Sequence, residues 1–210
     1  MRGLLLISVA GCLFLVACNG VKKPSTRNFT KAINQYLAKH GDACTTIVRQ
    51  FPIDVPLSEQ KEQYGIEPKL AALEQAGLVH SSDTRAVVHG MLDPLRGATP
   101  PQPVKRYDLT PEGRKYFQEL PNPLGQASAF CYGQKTVDSI VKWTEPLTMG
   151  AFSQAEVTYT YKIVNLAGWA GRPDVQRAFP DVGTTVNGVS KTNQVVGLQL
   201  TNQGWEVPGQ

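Results

Sequence analysis

The chain has 210 residues, with 21 Lys+Arg against 17 Asp+Glu and a formal net charge of +4. That mild, mixed balance excludes the clustered basic footprint of a nucleic-acid binder. Hydrophobic residues make up 41%, enough to bury a core, while 15 prolines and 19 glycines exclude a bundle of long helices.

The chain opens on Arg2 and an apolar run over residues 3–17 that ends in a small residue. A basic start, an apolar core and a small residue before the cut predict a secretory signal peptide. The run is short of the about 20 apolar residues that span a bilayer. The plain alternative is an ordinary signal whose removal leaves Cys18 a common thiol. Leu15-Val16-Ala17-Cys18 resembles the lipobox of bacterial lipoproteins, whereas Cys12 has too short a run before it. The resemblance implies cleavage before Cys18, a diacylglycerol on its thiol and usually a further acyl chain such as palmitate on the new amine. In that family an aspartate after the cysteine retains the protein at the inner membrane. Asn19 stands there instead, which implies an outer-membrane anchor facing the periplasm. Removing residues 1–17 takes away only Arg2 and leaves 20 Lys+Arg against 17 Asp+Glu.

Cys12 leaves with the signal and Cys18 carries lipid, so Cys44 and Cys131 remain, an even pair in an oxidising compartment. A disulfide between them closes a loop of nearly ninety residues, worth on the order of 4 kcal/mol. The alternative is two separate buried thiols. Neither cysteine sits in a Cys-x-x-Cys motif, which argues against redox chemistry.

Residues 18–27 read as a lipidated tether. Phe29, Ile33, Tyr36 and Leu37 then fall on one helical face, with Ser25, Thr26 or Asn28 as cap and Gly41 as stop. Residues 44–48 are β-branched and predict an extended segment. Pro68 favours a helix start, Leu70 and Leu73 share a face, and Gly77 ends that helix. Ala86-Val87-Val88 and residues 104–109 predict a hairpin with a long Pro-rich tip. Thr110-Pro111-Glu112 predicts a cap and a helix carrying Tyr116, Phe117 and Leu120.

Two stretches, Leu73-Glu74-Gln75-Ala76-Gly77-Leu78-Val79 and Tyr107-Asp108-Leu109-Thr110-Pro111-Glu112-Gly113, resemble winged-helix domains. The resemblance covers residues 28–120 and implies that residues 67–76 would be the helix offered to DNA. That segment carries Lys69 against Glu67 and Glu74 and has no arginine to read a guanine edge. The expectation is therefore the fold without nucleic-acid binding, as a protein-contact scaffold. Arg85, Arg96, Lys105 and Arg106 around the wing read as a solvated loop, or alternatively as contacts to phosphates of lipid or polysaccharide.

Pro121 and Pro123 predict a linker over residues 121–126. Beyond it, residues 127–210 read as an antiparallel β-rich module. Residues 134–143 are β-branched, and Ala155, Val157, Tyr159, Tyr161 and Ile163 alternate with polar residues. Asn202-Gln203-Gly204 predicts a tight turn, and residues 173–179 a short helical insertion. The expected class is α+β, a winged-helix-like module at 28–120 followed by a small antiparallel sheet.

Catalytic signals are sparse. His40, His80 and His89 lack the spacing of a zinc site, even with Asp83 and Asp93 nearby, and no nucleophile motif or phosphate loop is present. The pairs Asp54/Glu59 and Asp174/Asp181 read as surface carboxylates. The remaining candidates are Trp143, Trp169, Trp205, Tyr159 and Tyr161, which would grip a glycan or a protein if exposed and fill a core if not. Trp169, between two glycines, is the one expected to be exposed. The sequence reading is a non-enzymatic envelope lipoprotein, with no cofactor or metal, that binds an envelope protein or cell-wall polymer. Two alternatives are a hydrolase using His89 or His40 with a carboxylate, and a transcription factor with a misread start.

Overall fold

A computed structural model describes residues 20–61, 65–88, 100–122, 125–150 and 152–209. In chain order the elements are α1 (Thr26–His40), β1 (Asp42–Ile47), β2 (Ile53–Pro56), α2 (Glu67–Gln75), β3 (Val79–Ala86), β4 (Gln102–Leu109) and β5 (Phe117–Asn122). There follow β6 (Gly125–Trp143), β7 (Leu147–Met149), β8 (Phe152–Val164), α3 (Pro173–Ala178), α4 (Pro180–Asn187), β9 (Gln194–Leu200) and β10 (Trp205–Glu206). No helix among the described residues is long and apolar enough to cross a membrane.

β6 is the spine. Its 19 residues are too many for one set of neighbours, so its two halves pair differently. The first half lies between β1 and β5: Phe130 is opposite Thr45 on one side and Phe117 on the other. The second half pairs with β8, from Gln134 opposite Val164 to Trp143 opposite Val157. β8 continues to β9 and β10, giving one seven-stranded antiparallel sheet; β2, β4 and β3 form a second, three-stranded sheet.

Helix α1 forms for the reasons its sequence offers. The Ser25 hydroxyl accepts from the Asn28 N–H at 3.3 Å, and Lys39 and His40 lie in the last turn, where cations suit the dipole. Its buried stripe of Phe29, Ala32, Ile33 and Leu37 packs on Val137, Ala155, Val157, Tyr159, Tyr161 and Leu198 of the sheet. The helix runs antiparallel to β6. Gln134 donates to the Leu37 carbonyl at 3.2 Å, the Val137 N–H donates to Asn34 at 2.8 Å, and Phe29 meets Trp143 with ring centroids 5.5 Å apart. A second core joins Ile53, Val55, Leu70, Leu73, Val79 and Tyr107 of the small sheet and α2 to Phe130 and Tyr132 of β6, and to Trp169, Val175, Phe179 and Val182.

These pairings correct the expected class. The chain is mainly antiparallel β, and a winged-helix module over residues 28–120 does not form, because β1 and β5 are built into the same sheet as residues 125–206. The helix expected after Thr110 is a single 3-10 turn, Gly113–Lys115, followed by a strand. The cap itself is real: the Thr110 hydroxyl accepts from the Gly113 N–H at 2.9 Å and donates to the Gly77 carbonyl at 2.7 Å. Pairing with β6 then outcompetes helix growth, since the Tyr116 carbonyl accepts from Cys131 N–H at 2.8 Å and Phe117 takes its place opposite Phe130. Gly113 passes so close to Leu78 that a Cβ there would lie 1.9 Å from the Leu78 oxygen.

The expected linker falls partly on residues 123–124, outside the described residues. On either side of them Pro121 pairs with Gln126 and Asn122 with Gly125. The hairpin near residues 86–104 is β3 and β4, paired from Val79 opposite Leu109 to Ala86 opposite Gln102. The insertion is two short helices, because Pro180 opens a second one at its first turn.

Candidate functional site

The end of the sheet where β6 finishes and α1 begins brings together two of the five aromatic candidates, Trp143 and Trp205. Phe29 is fully buried between two indoles, edge-on to Trp143 at 5.5 Å and to Trp205 at 5.1 Å. Trp205 is buried and its Nε1–H donates to the Lys22 carbonyl at 3.0 Å. Asn28 donates to the carbonyls of Gly20 at 2.7 Å and Lys23 at 2.9 Å. Gly204, at φ +126°, lets the β9–β10 turn approach Val21, whose oxygen would stand 3.2 Å from an added Cβ. Residues 20–25 are thus seated on the fold. The seat consumes the one polar atom of Trp205, so this indole acts as a clamp for the chain and presents no open platform.

The other aromatics are core. Tyr159 and Tyr161 are buried under α1, and the Tyr161 hydroxyl donates to the Thr185 carbonyl at 2.7 Å. Burial pushes both phenol pKa values up. Trp169, expected to be exposed, is only 6% accessible, with Tyr116, Phe130 and Tyr132 edge-on around it. Of the five aromatic candidates only Trp143, 39% accessible, reaches solvent appreciably.

Cys44 and Cys131 are bonded, with Cα atoms 3.9 Å apart as direct partners across β1 and β6. Cys18 and the lipobox lie outside the described residues, as do His89, Asp93 and Arg96.

Polar groups are mostly consumed by each other. Between α2 and the small sheet the Glu74 carboxylate accepts from Ser81 N–H at 2.8 Å and from the Ser81 hydroxyl at 2.6 Å, with Lys105 Nζ 3.8 Å away. Partial burial works to raise the Glu74 pKa, but the two Ser81 hydrogen bonds and the charges of Lys105 and His80 outweigh it and hold the pKa below the usual range. The folded pKa being depressed, Glu74 contributes stability above its unfolded pKa of about 4.3 and loses it as pH falls through the folded value. Glu74→Gln should therefore cost about 1 kcal/mol in urea unfolding at pH 7, discounted for partial exposure, with the gap closing on acidification below pH 4 or so. A gap independent of pH would assign the effect to packing.

Arg106 forms a two-bonded pair with Asp54, at 2.7 and 2.8 Å, and Arg49 pairs with Glu59 at 2.6 Å. Beside that second pair runs an open groove of about 500 Å³, lined by Ile47, Val48, Arg49, Glu59, Ile66 and Lys69. His40 stacks on Tyr36 at 4.6 Å, and His80 is exposed on β3. Among the described residues no three His, Cys, Asp or Glu side chains are grouped to hold a metal.

One feature escaped the sequence reading. The β7–β8 hairpin carries Leu147, Met149 and Phe152 at 64%, 66% and 60% accessible. The available signal was a cluster of large apolar residues within three positions of Gly150, where a hairpin tip is ordinarily polar. No protein family model matches the chain, and no curated protein or solved structure matches it significantly.

Proposed function

We propose that this chain is a non-enzymatic lipoprotein of the bacterial envelope, anchored through Cys18, that acts by binding an envelope protein or a cell-wall polymer. The lipobox resemblance supplies the anchor, and the Cys44–Cys131 bridge suits an oxidising compartment. The observation that carries the reading is the seat of residues 20–25 against Asn28, Gly204 and Trp205. A tether clamped two residues after its lipid would hold the body at a fixed end toward the membrane.

That end is the finish of β6. The strand spans up to roughly 60 Å when extended, and its far end carries β1, the small sheet and the groove at Ile47–Lys69. A partner would meet this distal half. Two or three acyl chains hold such a body firmly, because each buried methylene contributes about 0.8 kcal/mol whereas a single chain binds marginally.

The test is metabolic labelling with palmitate in a bacterial host, followed by envelope fractionation. Label and membrane recovery are expected for the parent and are expected to be lost in Cys18→Ser. An unlabelled parent, or a Cys18→Ser chain that matures and fractionates as the parent does, overturns the reading.

A further inference from the structure

From the β7–β8 hairpin we infer a second membrane contact: its apolar face, Leu147, Met149 and Phe152, enters the lipid leaflet that holds the anchor. This rests on the proposed lipidation of Cys18 for its orientation.

The hairpin is amphipathic by its register. Met149 pairs with Phe152 and Leu147 with Gln154, so the three large apolar side chains share one face. Thr148 pairs with Ser153 on the other, their hydroxyl oxygens 2.9 Å apart. Three large side chains more than half accessible at one tip are unusual for a surface that meets only water. None of the three belongs to either buried core cluster.

What covers them follows from where the tether ends. The hairpin leaves the sheet at the finish of β6, four residues after Trp143, and Trp143 packs on Phe29 of the first turn of α1. On the other side Gln154 pairs with Gln199, next to the Thr201–Gly204 turn on which Val21 rests. The tether and the hairpin therefore leave the same end of the sheet. Cys18 lies two residues before Gly20, a reach of at most about 7 Å, so its acyl chains enter the leaflet beside this end. A bilayer that close is the apolar phase in line with the tip. Exposed Lys22, Lys23 and Arg27 flank the tether and attract anionic headgroups, with Glu145, Glu156 and Glu206 as the acidic residues at this end of the sheet.

The test separates the hairpin from the anchor. Full-length mature protein carrying Cys18→Ser, which has no lipid, is floated with vesicles of phosphatidylethanolamine and phosphatidylglycerol. It is compared with the same protein carrying in addition Leu147→Ser, Met149→Ser and Phe152→Ser. The parent of the pair is expected to partition measurably, and the triple change to lower partition about tenfold or more. Non-reducing gel mobility, reporting the Cys44–Cys131 bridge, checks that both are folded. In the lipidated protein, Phe152→Trp is expected to be quenched by brominated lipid.

Equal flotation of the two unlipidated proteins overturns the hairpin contact. So does an unquenched tryptophan in protein that has incorporated palmitate, or loss of an envelope-protein crosslink with flotation unchanged, which would make the tip a protein-docking site. Absent palmitate with hairpin-dependent flotation would instead overturn the anchor and leave the membrane contact standing.

Discussion

Trp169→Ala is expected to lower the unfolding free energy by about 3–5 kcal/mol, the range for removing a large aromatic from a packed core. The indole sits at the junction of the first half of β6 with the two short helices. Tyr116, just before β5, and Phe130 and Tyr132 of β6 approach it edge-on at 5.7 to 6.5 Å between centroids. Its Nε1–H is buried and has no hydrogen-bond partner among the described residues. An unpaired buried donor detracts from stability, which makes a second substitution informative. Trp169→Phe keeps most of the apolar contact and removes the orphan donor, so it should cost far less than Trp169→Ala. Urea unfolding of both variants checks this. A Trp169→Ala protein as stable as the parent would place the indole outside the core and return it to the list of binding residues.

The sequence misread Trp169 because Gly168-Trp169-Ala170-Gly171 looks like a solvent loop when only its own residues are considered. Burial there is decided by Phe130 and Tyr132, some forty residues away, and no local pattern announces that meeting. The same distinction separates the readings that held from those that failed. Helix α1 was legible because its cap, its apolar stripe and its stop lie within seventeen residues, and β8 because period-2 alternation over residues 155–163 is a local signal. The segment after Thr110 carried an equally good local signal for a helix, but Phe117 pairs with Phe130 of β6, which β1 holds from its other side, and that ladder overrides one cap. Apolar residues alone also could not tell a core strand from an exposed tip: Leu147, Met149 and Phe152 are the same residue types that fill the interior. Only their register beyond the end of the sheet sets them apart.

Removing the bridge with Cys44→Ser and Cys131→Ser together should lower stability by about 4 kcal/mol, comparable to the loss of Trp169. The 87-residue separation sets the scale, because closing so long a loop removes much of the entropy of the unfolded chain. The denaturant slope should rise as the unfolded state expands without its crosslink. Place matters as well as loop length. Cys131 lies between Phe130 and Tyr132, whose rings pack on Trp169, so the bridge pins β1 to the stretch of β6 that shapes that core. Hydrogen exchange should show β1 amides losing protection first, ahead of β8 and β9, whose packing on α1 does not involve either sulfur. The two losses act on one region, so Trp169→Ala in the bridge-free background should cost less than in the bridged protein. Strict additivity would mean that the disulfide stabilises only through the unfolded chain and does nothing to hold the aromatic cluster in place.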